Sequence, residues 1–97
     1  MTLILVAYDV GTETADGRRR LRRVAKSCQD FGQRVQKSVF ECWVDPVQWT
    51  RLRSRLMSEY NPDEDSLRFY FLGDNWRGRV EHHGKNQGYD PEGPLVI

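Results

Sequence analysis

Long hydrophobic runs are missing from this chain. A membrane-spanning helix needs about 20 consecutive apolar residues, and the 97-residue sequence holds no such stretch. No membrane association is expected. Cysteine is scarce: Cys28 and Cys42 stand alone, with no C-x-x-C pair and no metal-ligand spacing. A disulfide scaffold and a zinc module are therefore set aside, and two ordinary buried thiols in a reducing cytoplasm are expected. Residues 1–10 are apolar but lack a basic leader and a small-residue cleavage site, so they read as a strand and not as a signal peptide. Internal repeats and low-complexity tracts are absent. His82 and His83 are adjacent, so on a strand they point to opposite faces and cannot readily share a metal.

What remains is the composition of one small globular domain spanning residues 1–97: 38% hydrophobic, 30% charged, with three Trp and four Phe. A chain of this size buries only about 60–65% of its unfolded surface, and dimerisation is a common remedy. The net charge of +1 conceals an asymmetry. Residues 1–60 carry eleven Lys or Arg against seven Asp or Glu, and residues 61–97 carry four against seven. Between Gly17 and Lys37 eight basic residues face a single acid, Asp30. That bias favours a polyanionic partner.

The apolar run at residues 3–8 ends at Asp9 and reads as a buried strand. A helix follows from about residue 16 to residue 30, with Asp16 as N-cap. Leu21, Val24, Ala25, Cys28 and Phe31 form its core face, and Arg18, Arg19, Arg20, Arg22, Arg23 and Lys26 occupy the remainder. Gly32 ends it. Residues 34–44 read as a second strand whose alternation slips near Ser38, which leaves room for a hairpin. The next helix, 46–59, is well specified: Asp45 caps, Pro46 suits the first position and Gln48 completes a capping box. Residues 67–72 form a further strand, with Leu67, Phe69 and Phe71 on one face. A short polar strand is expected near 79–83, and residues 94–97 are apolar again. Read literally, the order is β-α-β-α-β-β; a hairpin within 34–44 converts it to a ferredoxin-like βαββαβ sandwich of the α+β class.

Asp9 is the most informative residue. A carboxylate ending an apolar strand is either a turn-former or a functional group. One carboxylate binds Mg²⁺ weakly, because the ion needs six oxygens and keeps several waters. A two-fold axis beside Asp9 would supply a second carboxylate from another copy and permit metal-assisted attack of water on a phosphodiester. Arg18, Arg19, Arg22 and Arg23 suit such a substrate, since their guanidinium forks match phosphate. Tyr8 sits beside Asp9 in sequence. Tyr8, Phe40 and Trp76 are candidates for stacking on bases, although Phe40 also suits a core. Ser38 has no histidine in a triad order, so serine nucleophile chemistry is not expected.

The opening L-I-L-V-A-Y-D-V, the basic helix G-R-R-R-L-R-R-V-A-K and the segment G-Q-R-V-Q-K-S-V-F-E-C together resemble the CRISPR-associated protein two family. The resemblance runs in order and spacing along nearly the whole chain, and the G-D-N-W tail resembles the subtype I-C group. It implies a homodimer with facing sheets. It also implies an extra C-terminal strand within residues 84–97, with Leu95 to Ile97 pairing with the other subunit. Asp9 is then the residue for Mg²⁺ or Mn²⁺, with Tyr8 and Ser38 as further catalytic candidates. Arg18, Arg20 and Phe40 fall where the family places residues around the site. The implied task is adaptation: binding nucleic acid and bridging the CRISPR-associated integrase during spacer acquisition, with metal-dependent endonuclease activity on RNA or double-stranded DNA. The alternative is a toxin-type endoribonuclease of the VapD-like kind. A third class, a non-enzymatic sheet-based RNA-binding module, fits poorly because the basic residues lie on a helix.

Overall fold

The computed structural model describes residues 1–84. Its elements run β1 (Thr2–Asp9), α1 (Ala15–Phe31), β2 (Gln33–Gln36), β3 (Val39–Val44), α2 (Pro46–Glu59) and β4 (Ser66–Gly73), followed by a 3₁₀ turn at Trp76–Gly78. This is the βαββαβ order, and the four strands form one sheet in the order β2-β3-β1-β4. Every neighbouring pair is antiparallel, so the fold is ferredoxin-like α+β. The hairpin suggested by the slip near Ser38 is present: β2 and β3 turn back at Lys37 and Ser38, with a register shift between Arg34 and Gln36.

Central strand β1 sorts its side chains by parity. Ile4, Val6 and Tyr8 enter a core shared with Phe40, Cys42 and Val44 of β3, Val24 and Cys28 of α1, and Leu52 and Leu56 of α2. Leu5, Ala7 and Asp9 therefore point to the opposite face, which neither helix covers. On that face Leu5 lies between Glu41 and Tyr70, and Ala7 between Val39 and Arg68. Trp49 of α2 closes the helix side by packing edge-on against Phe69 and Phe71, with centroids 5.0 and 5.4 Å away.

Both helices start at identifiable caps. The α2 box is complete: Gln48 N–H donates to Asp45 Oδ1 at 2.7 Å, and Asp45 N–H donates to Gln48 Oε1 at 2.9 Å. For α1 the cap is Thr14 and not Asp16. Thr14 has extended backbone, and its hydroxyl accepts from Gly17 N–H at 3.0 Å. Asp16 lies within the first turn, where it ion-pairs with Arg19. Gly32 ends α1, but with extended backbone and not a left-handed one. A Cβ there would overlap the Glu41 carbonyl and crowd Cys42 Sγ, so close passage of the chain beside β3 is what demands glycine.

The strand expected at 79–83 does not form. Arg79 instead turns back, and its Nη1 donates to the Leu72 carbonyl at 3.0 Å. Its polar sequence offers no apolar alternation for a sheet face to bury. The expected strand at Leu95 to Ile97, and most of the tail at 84–97, lies outside the described residues. No helix among the described residues is long and apolar enough to cross a membrane.

Candidate functional site

Asp9 ends β1 with its side chain exposed on the sheet face turned away from α1 and α2, opposite Ser66 of β4. Its neighbour Tyr8 points the other way, as strand alternation requires. Tyr8 is 6% exposed; its ring stacks on Phe40 with centroids 6.2 Å apart, and Arg34 hydrogen-bonds to it. Burial, opposed by Arg34, pushes the phenol above its usual range. The pairing of Tyr8 with Asp9 in a single catalytic group is therefore not what the geometry gives. Ser38 does come to this end of the sheet, where its carbonyl accepts from Tyr8 N–H at 3.1 Å. Phe40 is fully buried under the Arg34 guanidinium, which lies 5.1 Å from its ring centroid. It presents no face to a base, so it is a core residue and not a stacking platform.

The arginines of α1 separate into three settings. Arg18 is exposed and donates to the Thr12 carbonyl at 3.2 Å. Arg19, Arg22, Arg23 and Lys26 line a groove between α1 and α2, together with Ser27, Arg55 and Glu59. Within it Arg55 and Lys26 share Asp30, each at 2.9 Å, and Arg23 stands 3.9 Å from Glu59. Lys26 and Arg55 hold the Asp30 carboxyl below its usual range. Arg22 pairs with no carboxylate among the described residues.

Arg20 differs from all of these. Its side chain is only 14% exposed; Nε donates to Asp65 Oδ2 at 2.9 Å and Nη2 to Glu64 Oε2 at 2.8 Å. Nε and Nη2 are thus committed to Asp65 and Glu64 within the chain, which sets Arg20 apart from the exposed arginines of α1. Asp65 is the residue that sequence reasoning missed. Its side chain has no exposure and accepts from Gly11 N–H at 3.0 Å and from Asn61 N–H at 2.8 Å as well as from Arg20. Arg20 first, and then those two amides, hold its carboxyl below the usual range. The acidic run Asp63-Glu64-Asp65, directly before a strand and within an otherwise acidic half, was the available signal.

The two thiols carry no chemistry at neutral pH. Cys28 and Cys42 are buried, free and pushed up to about 12 by desolvation, so neither presents a thiolate. Among the described residues no group of three or more His, Cys, Asp or Glu is arranged to hold a metal ion.

Residues 1–80 match the family model described as CRISPR associated protein Cas2. The chain belongs to the Cas2 family. A Chlorobaculum tepidum protein named CRISPR-associated endoribonuclease Cas2 is 65% identical over 95 residues, covering 98% of this chain and 99% of that one. A Halalkalibacterium halodurans protein named CRISPR-associated endonuclease Cas2 is 51% identical over 95 residues, covering 98% and 99%. The crystal structure of Streptococcus pyogenes Cas2 at pH 6.5 superposes with a TM-score of 0.73 at 55% identity, covering 84% of this chain and 99% of that one. The ferredoxin-like sheet with two helices on one face is thus shared with a solved Cas2 structure.

Proposed function

We propose that this chain acts in CRISPR adaptation as a homodimer that binds nucleic acid and bridges the CRISPR-associated integrase during spacer acquisition. In this reading it also cleaves phosphodiester bonds with Mg²⁺ or Mn²⁺ held by Asp9 of both copies. The observation that carries this is the position of Asp9: the exposed carboxylate that ends the central strand, on the sheet face turned away from α1 and α2. That face is partly apolar, with Leu5, Ala7, Val39 and Trp43 on it and Tyr70 44% exposed. A second copy placed face to face would cover it and bring a second Asp9 close to the two-fold axis.

The donor set fits the ion on those terms alone. Mg²⁺ prefers hard oxygen ligands and uses one or two carboxylates, waters and substrate phosphate. Among the described residues one chain offers a single carboxylate at this strand end, and a pair offers two. When bound, the ion supplies Lewis-acid activation of water and charge neutralisation at phosphate. The chain's own residues supply the rest. Asp9 fixes the position of the ion, the core anchors β1, and Arg18, Arg19, Arg22 and Arg23 hold the phosphate backbone.

Membership of the Cas2 family supports the adaptation role over a free-standing toxin-type endoribonuclease. Relatives carry both endoribonuclease and endonuclease names, so RNA and double-stranded DNA are both candidate substrates. The G-D-N-W segment supports a subtype I-C reading, and two buried reduced thiols suit a cytoplasmic setting. Light scattering of the intact protein at micromolar concentration tests the dimer: a mass of two chains is expected, and a monomer would leave the metal site with one carboxylate and end this reading.

A further inference from the structure

The chain leaving Asp9 is held in place by contacts reaching far along the sequence. Gly11, two residues beyond Asp9, donates its N–H to Asp65 Oδ1 at 3.0 Å, and its carbonyl rests against the Cα of Gly17. Thr12 is tethered by Arg18, and Ser66, next to Asp65, is the register partner of Asp9. Asp65 is itself immobilised. Arg20 grips both of its oxygens, with Nε at 2.9 Å from Oδ2 and Nη2 at 3.2 Å from Oδ1, while Asn61 N–H reaches Oδ2 at 2.8 Å. A side chain with no exposure and four donors on two oxygens has one orientation available.

We propose that Asp65, locked by Arg20, is a positioning residue for Asp9: it fixes the loop at Gly11 and so sets the direction of the metal-binding carboxylate. The inference rests on the reading of Asp9 as the metal residue. It follows from the geometry of an exposed strand end, where the residues after Asp9 have no sheet partner of their own to hold them. Mg²⁺ and Mn²⁺ are demanding in coordination geometry, and a site built from two copies suffers the misplacement of both. Buried groups that orient metal ligands typically change metal affinity about 10–100-fold when removed. The same geometry assigns Arg20 to this clamp and not to phosphate contact, which gives the two roles opposite signatures.

The test uses the full chain and five variants: Asp9→Asn, Asp65→Asn, Arg20→Lys, Arg20→Ala and, as a control, the core variant Val24→Ala. Asp65→Asn keeps an oxygen for Gly11 but loses the charge that holds Arg20. Arg20→Lys is milder and serves if Asp65→Asn fails to fold. Mn²⁺ binding is read as the midpoint of paramagnetic broadening of backbone amide resonances, the clamp itself as hydrogen exchange at Gly11, and duplex binding as its salt slope without metal. Asp65→Asn and Arg20→Lys should exchange Gly11 faster and shift the Mn²⁺ midpoint upward by about tenfold or more, with the salt slope unchanged. Val24→Ala should lower the melting temperature and leave the midpoint alone. If Asp9→Asn loses Mn²⁺ binding while folded clamp variants bind as wild type does, the positioning role is overturned and the Asp9 reading stands. If Asp9→Asn binds Mn²⁺ like wild type, both are overturned. A salt slope reduced by about one unit in an Arg20→Ala variant would make Arg20 a phosphate contact and overturn its place in the clamp.

Discussion

The Cα of Gly17, in the first turn of α1, lies against the carbonyl oxygen of Gly11, so close that a Cβ on Gly17 would overlap it. In most helices replacing glycine by alanine stabilises by about 1 kcal/mol. Here the sign reverses, because the loop must retreat or the helix must shift, and overpacking of this kind costs about 1–3 kcal/mol. Gly17→Ala is expected to lower the melting temperature, by about 4–8 °C for each kcal/mol in a domain of this size. Thermal unfolding followed by circular dichroism checks it; a raised melting temperature would show that the loop has room to spare.

The groove arginines predict a graded salt dependence. Arg22 has no carboxylate partner among the described residues, whereas Arg23 stands near Glu59 and Arg19 pairs with Asp16. Arg22→Ala should therefore weaken duplex binding most, flatten the salt slope by about 0.9 for a lost phosphate contact, and do so equally across sequences. Fluorescence anisotropy over a salt series gives the slope for each variant. Equal wild-type slopes for Arg22→Ala and Arg23→Ala would mean that these side chains only solvate α1.

Stability should fall on acidification in a window set by Asp65. Arg20 and the amides of Asn61 and Gly11 depress its carboxyl below the unfolded value, which is about 3.9. The unfolded state then takes up a proton before the folded state does. The contribution of Asp65 is complete above pH about 4 and is lost as pH falls through the depressed folded value. Arg20→Gln removes the largest cause of the depression. It should lower the melting temperature at pH 7 and narrow the gap between melting temperatures at pH 7 and pH 3. A gap of undiminished size would place the acid sensitivity elsewhere.

Much of this was readable from the residues, for reasons of range. The α2 start is a local statement: Asp45, Pro46 and Gln48 lie within four positions, and all three act as their chemistry suggests. The core faces of β1, β3 and α1 follow from periodicity alone, and the parity slip near Ser38 marked the hairpin. The N-cap of α1 was misplaced because Thr14 and Asp16 are both good caps two residues apart, and the choice between them depends on how the loop meets Gly17. The acidic run at residues 63–65 is the local mark of Asp65, but it does not single Asp65 out from its two neighbours, since its partners Arg20 and Gly11 lie 45 and 54 positions away. Tyr8 is a different case. The two-residue period of a strand turns it to the face opposite Asp9, so adjacency in sequence does not by itself bring the two side chains together.

The central claim, that Asp9 is the metal residue of a two-chain site on a nucleic-acid-binding body, is tested most directly by one paired measurement on wild type and Asp9→Asn: cleavage of RNA and of duplex DNA with Mg²⁺ or Mn²⁺, and duplex binding without metal. Asn keeps the size of Asp9 and removes its charge, and the exposed position of Asp9 means the core is untouched. Cleavage should fall by about 10²-fold or more, because loss of the ion removes the Lewis-acid contribution, while dimer mass and metal-free binding remain at wild-type levels. Undiminished metal-dependent cleavage by Asp9→Asn would contradict the account and move the chemistry to another site.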